Sequence, residues 1–212
     1  MRINSYQIAN VVAYLFHPIF IPCYYIFILF WRNYIPGFNR FSSAENIEGA
    51  VMIIVLSCTF ISFIPLLLML ILVKLKIVSS IQAKVQRERS LPFLSALVSG
   101  LFGFILIHKI VSVPPVISLF YIGYLFAIGI ALLVNNYSKI SIHMIGIGGV
   151  LGSFIALSKL NHTIYLPELY LILGLSGLIA FSRLRLQAHT PAQIGFGFVV
   201  GILCEVYPLY FI

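Results

Sequence analysis

The chain has 212 residues, 61% of them hydrophobic and 8% charged, with a mean hydropathy of +1.09 and a net charge of +8. A soluble domain carries roughly a quarter charged residues, and a disordered chain needs low hydrophobicity with high charge, so both are excluded. Long unbroken apolar runs also exclude a transmembrane β-barrel, whose strands alternate.

The expected fold is all-α, a multi-pass transmembrane helical bundle of about six or seven spans in a single domain, 1–212. A span needs about 17–25 apolar residues. Candidates fall at 8–31, 50–73, 92–108, 115–134, 143–158, 166–181 and 191–211. The first run is too long for a signal peptide and lacks a small-residue cleavage site, so it reads as a retained span. His17, before Pro18, reads as a packed, hydrogen-bonded histidine within it. The runs 92–108, 143–158 and 166–181 are short for a full crossing and read as tilted, shortened or partly re-entrant. Gly197 and Gly201 form a GxxxG pair, and Gly146, Gly149 and Ser153 are similarly spaced, which suits close helix packing in lipid. Cys23, Cys58 and Cys204 have no metal-ligand spacing and read as buried small hydrophobes.

The five acids are all glutamates: Glu45, Glu48, Glu88, Glu168 and Glu205. The absence of Asp excludes enzymes built on Asp-rich magnesium motifs and leaves few oxygen ligands for a hard metal. The chemistry must lie where ionisable residues gather. The break 74–91 holds Lys84, Arg87 and Arg89. The break 135–142 holds Lys139 and Ser141, with His143 just after. The break 182–190 holds Arg183, Arg185 and His189. If every candidate crosses, these three breaks share one face. Each precedes a helix start, with Ser90, Ser141 and Thr190 as prospective N-caps. Helix starts bind anions through free N–H groups and the helix dipole. Arg and Lys can cradle phosphate oxygens. A neutral imidazole can attack phosphorus, and an imidazolium can protonate a leaving oxygen. No metal or cofactor is required.

Ser182-Arg183-Leu-Arg-Leu-Gln-Ala-His189-Thr-Pro-Ala-Gln193 resembles the third signature of the type 2 phosphatidic acid phosphatase superfamily: S-R, five residues, H, three residues, D. Ser141-Ile-His143 resembles the end of its second signature, P-S-G-H. Lys84 to Pro92 resembles the first, K, six residues, R-P, with Leu91 at the Arg position. The resemblance runs from Lys84 to Gln193, about half the chain. It implies His189 as the nucleophile that becomes a phosphohistidine, and His143 as acid for the leaving group. It implies Lys84, Arg183 and one of Arg87 or Arg89 as the phosphate cradle, with Ser141 as a further donor. Gln193 stands where the family has the Asp that orients the nucleophile. A Gln oxygen can accept the Nδ1–H and fix the tautomer, but carries no charge. Glu205 lies sixteen residues beyond His189, on the last span.

The expected function is an integral membrane lipid phosphatase that is metal-independent and acts on a lipid phosphate or isoprenoid (pyro)phosphate. The alternative is a catalytically degenerate relative that binds anionic lipid or a membrane partner. A small transporter ranks last, because no inverted repeat or broken helix pair is visible. The lipid bilayer is the expected partner and nucleic acid is not. The expected location is a bacterial inner membrane. The basic residues divide almost evenly between the two faces once the proposed phosphate ligands are set aside, so orientation stays open.

Overall fold

The computed structural model describes residues 4–35, 44–83 and 85–208. Every helix or strand element among them is a helix, as expected. In chain order these are α1 (Ser5–Leu15), α2 (Ile21–Trp31), α3 (Ala44–Ser57), α4 (Ile64–Lys74), α5 (Ser90–Ile110), α6 (Pro115–Val134), α7 (Ile142–Leu160), α8 (Leu166–Arg185) and α9 (Pro191–Val206). Five helical stretches are long and apolar enough to cross a membrane: 45–74, 86–110, 115–134, 142–160 and 166–185. The chain is an integral membrane protein on this evidence of length and composition.

The first predicted span is not one helix. It breaks into α1 and α2 around residues 16–20. Pro18 has no N–H to donate and disfavours helical geometry in His17 before it. Pro22 then starts α2 at a position where a missing N–H costs little. The second span extends to a 30-residue helical stretch that widens into a π-turn at Cys58–Phe63, just before Pro65. The Ser62 hydroxyl there bonds the carbonyl of Ile19, holding the α1–α2 break against this turn. The three runs that looked short lengthen to 21, 19 and 20 residues. Polar residues such as Lys109, Ser182 and Arg183 continue these helices, so hydropathy alone ended them too early. The last helix ends at Val206, and residues 209–212 lie outside the described residues.

α7 is the central helix: 72% of its most apolar window is buried, against 28% for α5 and α8. It runs parallel to α9, and the two touch through backbone. A Cβ on Gly197 would come within 2.7 Å of the Ser141 carbonyl oxygen, and one on Gly152 within 2.6 Å of that of Ile202. A Cβ on Gly201 would strike the Ile145 carbonyl. The small-residue spacing read in the sequence is thus helix packing. Tyr25 of α2 packs against Phe120 of α6 and Phe154 of α7 in the core, with ring centroids 4.8 Å and 5.5 Å from Tyr25. Large apolar side chains such as Phe63, Phe102 and Leu171 face outward, towards lipid.

Parallel packing sets α7 and α9 with both N-termini at one end of the bundle. Arg89, at the start of α5, reaches that same end through a bond to Ile140. Only one of the three expected caps forms. Thr190 and Gln193 make a reciprocal capping box at α9. Ser141 occupies the N-cap position of α7 without a side-chain cap bond. Ser90 is the first residue of α5 rather than its cap, and its hydroxyl accepts from Asn135.

Candidate functional site

Four basic side chains from three regions of sequence are buried around one cavity: Arg89, His143, Arg183 and His189. Arg89 ends a short 3-10 turn that leads into α5. Its Nε donates to the Ala83 carbonyl at 2.8 Å and its Nη1 to that of Ile140 at 3.2 Å. This guanidinium ties the loop before α5 to the loop before α7. It still has donors to spare, since the fork carries five.

Arg183 lies in the last turns of α8 and is 4% exposed. Ser182 beside it anchors α8 to α1 by donating to the Ala9 carbonyl at 2.6 Å. The Nε and Nη1 of Arg183 are buried and have no partner. An unpaired, buried guanidinium is costly. An anion that accepts from its fork removes that cost.

His189 sits between α8 and α9. Its Nδ1 lies 3.2 Å from Gln193 Oε1, the same oxygen that accepts from the Thr190 N–H at 3.2 Å. An amide oxygen can only accept, so His189 carries its proton on Nδ1 and leaves Nε2 unprotonated. Burial, then Arg89 and Arg183, then Lys139, lower its pKa from 6.5 to about 4, against the opposing bond to Gln193. The ring is therefore neutral at pH 7. His143 is the second residue of α7, and its Nε2–H donates to the Ala13 carbonyl at 3.2 Å. Its ring meets that of His17 edge-on, centroids 5.5 Å apart.

The cavity has two storeys. The inner chamber, about 110 Å³, is lined by His17, His143 and His189 together with apolar residues including Ile61, Met69, Phe93 and Ile128. The outer vestibule, about 630 Å³, is lined by Asn10, Ser79, Ser80, Lys139 and Gln187 among others. Arg89, Arg183, Ile81 and Gln82 border both. The two guanidiniums thus stand between a polar space and an apolar one. No carboxylate lines either space among the described residues.

Arg89, Arg183, His143 and His189 come together as the spacing suggested, and Gln193 touches His189. Arg87 does not join them: it is exposed on the 3-10 turn and lines neither space. Two residues along a tight turn point to different sides, and the carbonyls of Ala83 and Ile140 select Arg89. Ser141 is fully buried and its hydroxyl has no partner, yet it lines neither space. Lys84 lies outside the described residues. Two contributors are new. His17 lines the inner chamber rather than serving only as core. Lys139 lines the vestibule. The signal for His17 was the His-Pro pair inside an apolar run, which breaks the helix at the depth of the site.

Comparison of the chain with known family models, with curated proteins and with solved structures returns no match.

Proposed function

We propose that the protein binds the phosphate headgroup of a membrane amphiphile between Arg89 and Arg183 and transfers its phosphoryl group to His189. The observation that carries this reading is the buried, unpartnered fork of Arg183 beside a neutral histidine whose Nε2 is free. The substrate class follows from the two storeys. A headgroup in the vestibule meets polar walls, while the first carbons of its tail meet the apolar chamber. The motif resemblance to the type 2 phosphatidic acid phosphatases supports the same reading.

In the proposed step, His189 Nε2 attacks phosphorus and a P–N bond forms as the P–O bond to the leaving group breaks. Arg89 and Arg183 hold the equatorial oxygens, where charge is spread in the transition state. Water then attacks the phosphohistidine and releases inorganic phosphate. His143 must let go of Ala13 before its Nε2–H can protonate a leaving oxygen. A diphosphate needs no such help, because its leaving group is itself a phosphate of low basicity. The site therefore favours an isoprenoid diphosphate over a phosphate monoester.

A second reading has its own observation. Gln193 orients His189 but brings no charge to stabilise an imidazolium, which suits a protein that holds a phosphorylated lipid without turning it over. Phosphate release by the purified protein, in EDTA, with a polyprenyl diphosphate and with phosphatidic acid, separates the two. Catalysis predicts release that disappears in His189→Ala, with an acid-labile phosphate trapped on the wild type. Release that persists in the mutant overturns the histidine mechanism. Saturable binding without release, lost in Arg183→Met, establishes the second reading.

A further inference from the structure

Glu205 lines neither space of the phosphate site and has no role in it. It is on α9, and 4% exposed. Glycines make room for it near the midpoints of α6 and α7. A Cβ on Gly123 would come within 2.5 Å of Glu205 Oε2, and one on Gly152 within 3.1 Å of its Cβ. The carboxyl is therefore fitted into the bundle, not left over at a surface. Its neighbours offer oxygen but no charge. The Ser153 hydroxyl faces it from α7, and the Tyr25 hydroxyl faces Ser153 from α2. Both hydroxyls are buried and neither completes a hydrogen bond. Cys204, on α9 itself, and Tyr124, on α6, are further titratable neighbours. No described lysine, arginine or histidine lines the spaces around Glu205.

Those spaces are small and lie on two sides. One, about 10 Å³, is bordered by Glu205, Tyr25 and Ser153. The other, about 50 Å³, is bordered by Glu205 and shares Pro18, Tyr124, Ile128 and Ile142 with the inner chamber of the phosphate site. A carboxylate inside a bilayer without a counter-charge is strongly unfavourable. Two buried hydroxyls beside it that complete no hydrogen bond are unfavourable as well. One bound positive charge answers both.

We propose that Glu205, Tyr25 and Ser153 form an intramembrane site for a single monovalent cation, a proton or a sodium ion. The site is one cavity removed from the phosphate chamber and independent of what that chamber binds. A Glu with two hydroxyls is a hard oxygen set, which suits either occupant and no soft metal.

Dicyclohexylcarbodiimide, an apolar reagent that adds to protonated carboxyls in the membrane, tests this on the full chain in detergent. The label is located by mass spectrometry, with Glu205→Gln as the control for position. Its amide keeps the size of the side chain and removes its charge. A label on Glu205 that is equal in sodium and choline chloride identifies a proton. A label that forms in choline and is suppressed by sodium identifies a sodium ion. Infrared spectra of the two proteins give a second reading that needs no reagent access: a protonated-carboxyl C=O stretch present in the wild type and missing from Glu205→Gln. Either signal retains the proposal. The absence of both in sodium-free buffer, with both proteins folded, overturns it.

Discussion

The two ends of the bundle use arginine in opposite ways. At the end where α2 finishes and α8 begins, Arg32 lies 3.6 Å from Glu168, with side chains 58% and 16% exposed. Tyr34 bonds both partners, and Asn161 donates to the Tyr34 carbonyl at 2.9 Å. There the arginine is paired with a carboxylate and exposed. At the other end Arg183 is buried, and two of its nitrogens have no acceptor. Charge that is exposed and paired serves as an anchor. Under the proposed function, charge that is buried and unpaired is held for something not of the protein. The cost of burying it is offset only when that ligand arrives.

The comparison breaks most readily at Arg183. Arg183→Met keeps the stem and removes the charge, so retention of a phosphorylated lipid should fall by roughly 10²–10³-fold. The melting temperature should hold or rise, because an uncompensated buried charge has gone. Unchanged affinity in a vesicle-binding assay would make Arg183 a structural arginine like Arg32.

Gln193 comes next. Gln193→Leu removes the acceptor that fixes the His189 tautomer, and turnover should fall by about 10²-fold with little change in lipid binding. Gln193→Glu keeps the reach and adds a charge. It should raise both turnover and the pKa of His189, read from histidine NMR titration. Equal rates for Leu, Gln and Glu would remove position 193 from the mechanism.

The pH profile is a milder test. His189 attacks only when neutral, and its pKa is lowered to about 4. The kcat/KM should therefore be flat from neutral pH downwards and fall through about pH 4, not through 6.5. The same shift has a stability consequence with a definite sign. Between 6.5 and 4 the unfolded chain binds this proton and the folded one does not. The folded state is thus favoured above 6.5 and loses that advantage as pH drops towards 4. A rate that halves near pH 6.5 would mean that neither burial nor the charges of Arg89 and Arg183 lower the pKa of this ring.

The smallest effect belongs to Arg32. Arg32→Met should leave lipid binding unchanged and move the melting temperature by no more than about 2 °C, since exposed ion pairs contribute little. A large loss of binding would show that the two ends are coupled.

Much of this contrast was legible in the chain before any coordinates. Hydropathy is a sum over side chains, so it finds the membrane and the approximate spans. The spacing from Ser182 to Gln193 puts Arg183, His189 and the α9 cap close together, because all three lie within a few residues of one helix boundary. What failed needed tertiary information. Arg87 and Arg89 are equivalent in sequence, and only the distant carbonyl of Ile140 and the nearby one of Ala83 distinguish them. The break at His17 is hidden because the run is apolar throughout, and apolarity reports burial but not the direction of the backbone. Ser141 has the right identity for a cap, yet its side chain makes no bond to the helix. Glu205 looked incidental because it is remote along the chain. The glycines that accommodate it belong to two other helices, α6 and α7.

The position of the two guanidiniums between a polar and an apolar space also bears on how the protein should be handled at the bench. Zwitterionic detergents with phosphocholine heads carry both halves of what the cavity is proposed to accept, a phosphate oxyanion on a single hydrocarbon chain. On that proposal, the protein extracted in them should carry its solubiliser in place of its own ligand, and its apparent affinity for added lipid should drop as the detergent concentration rises. Sugar-headed detergents present no anion to Arg89 or Arg183 and leave the cavity free.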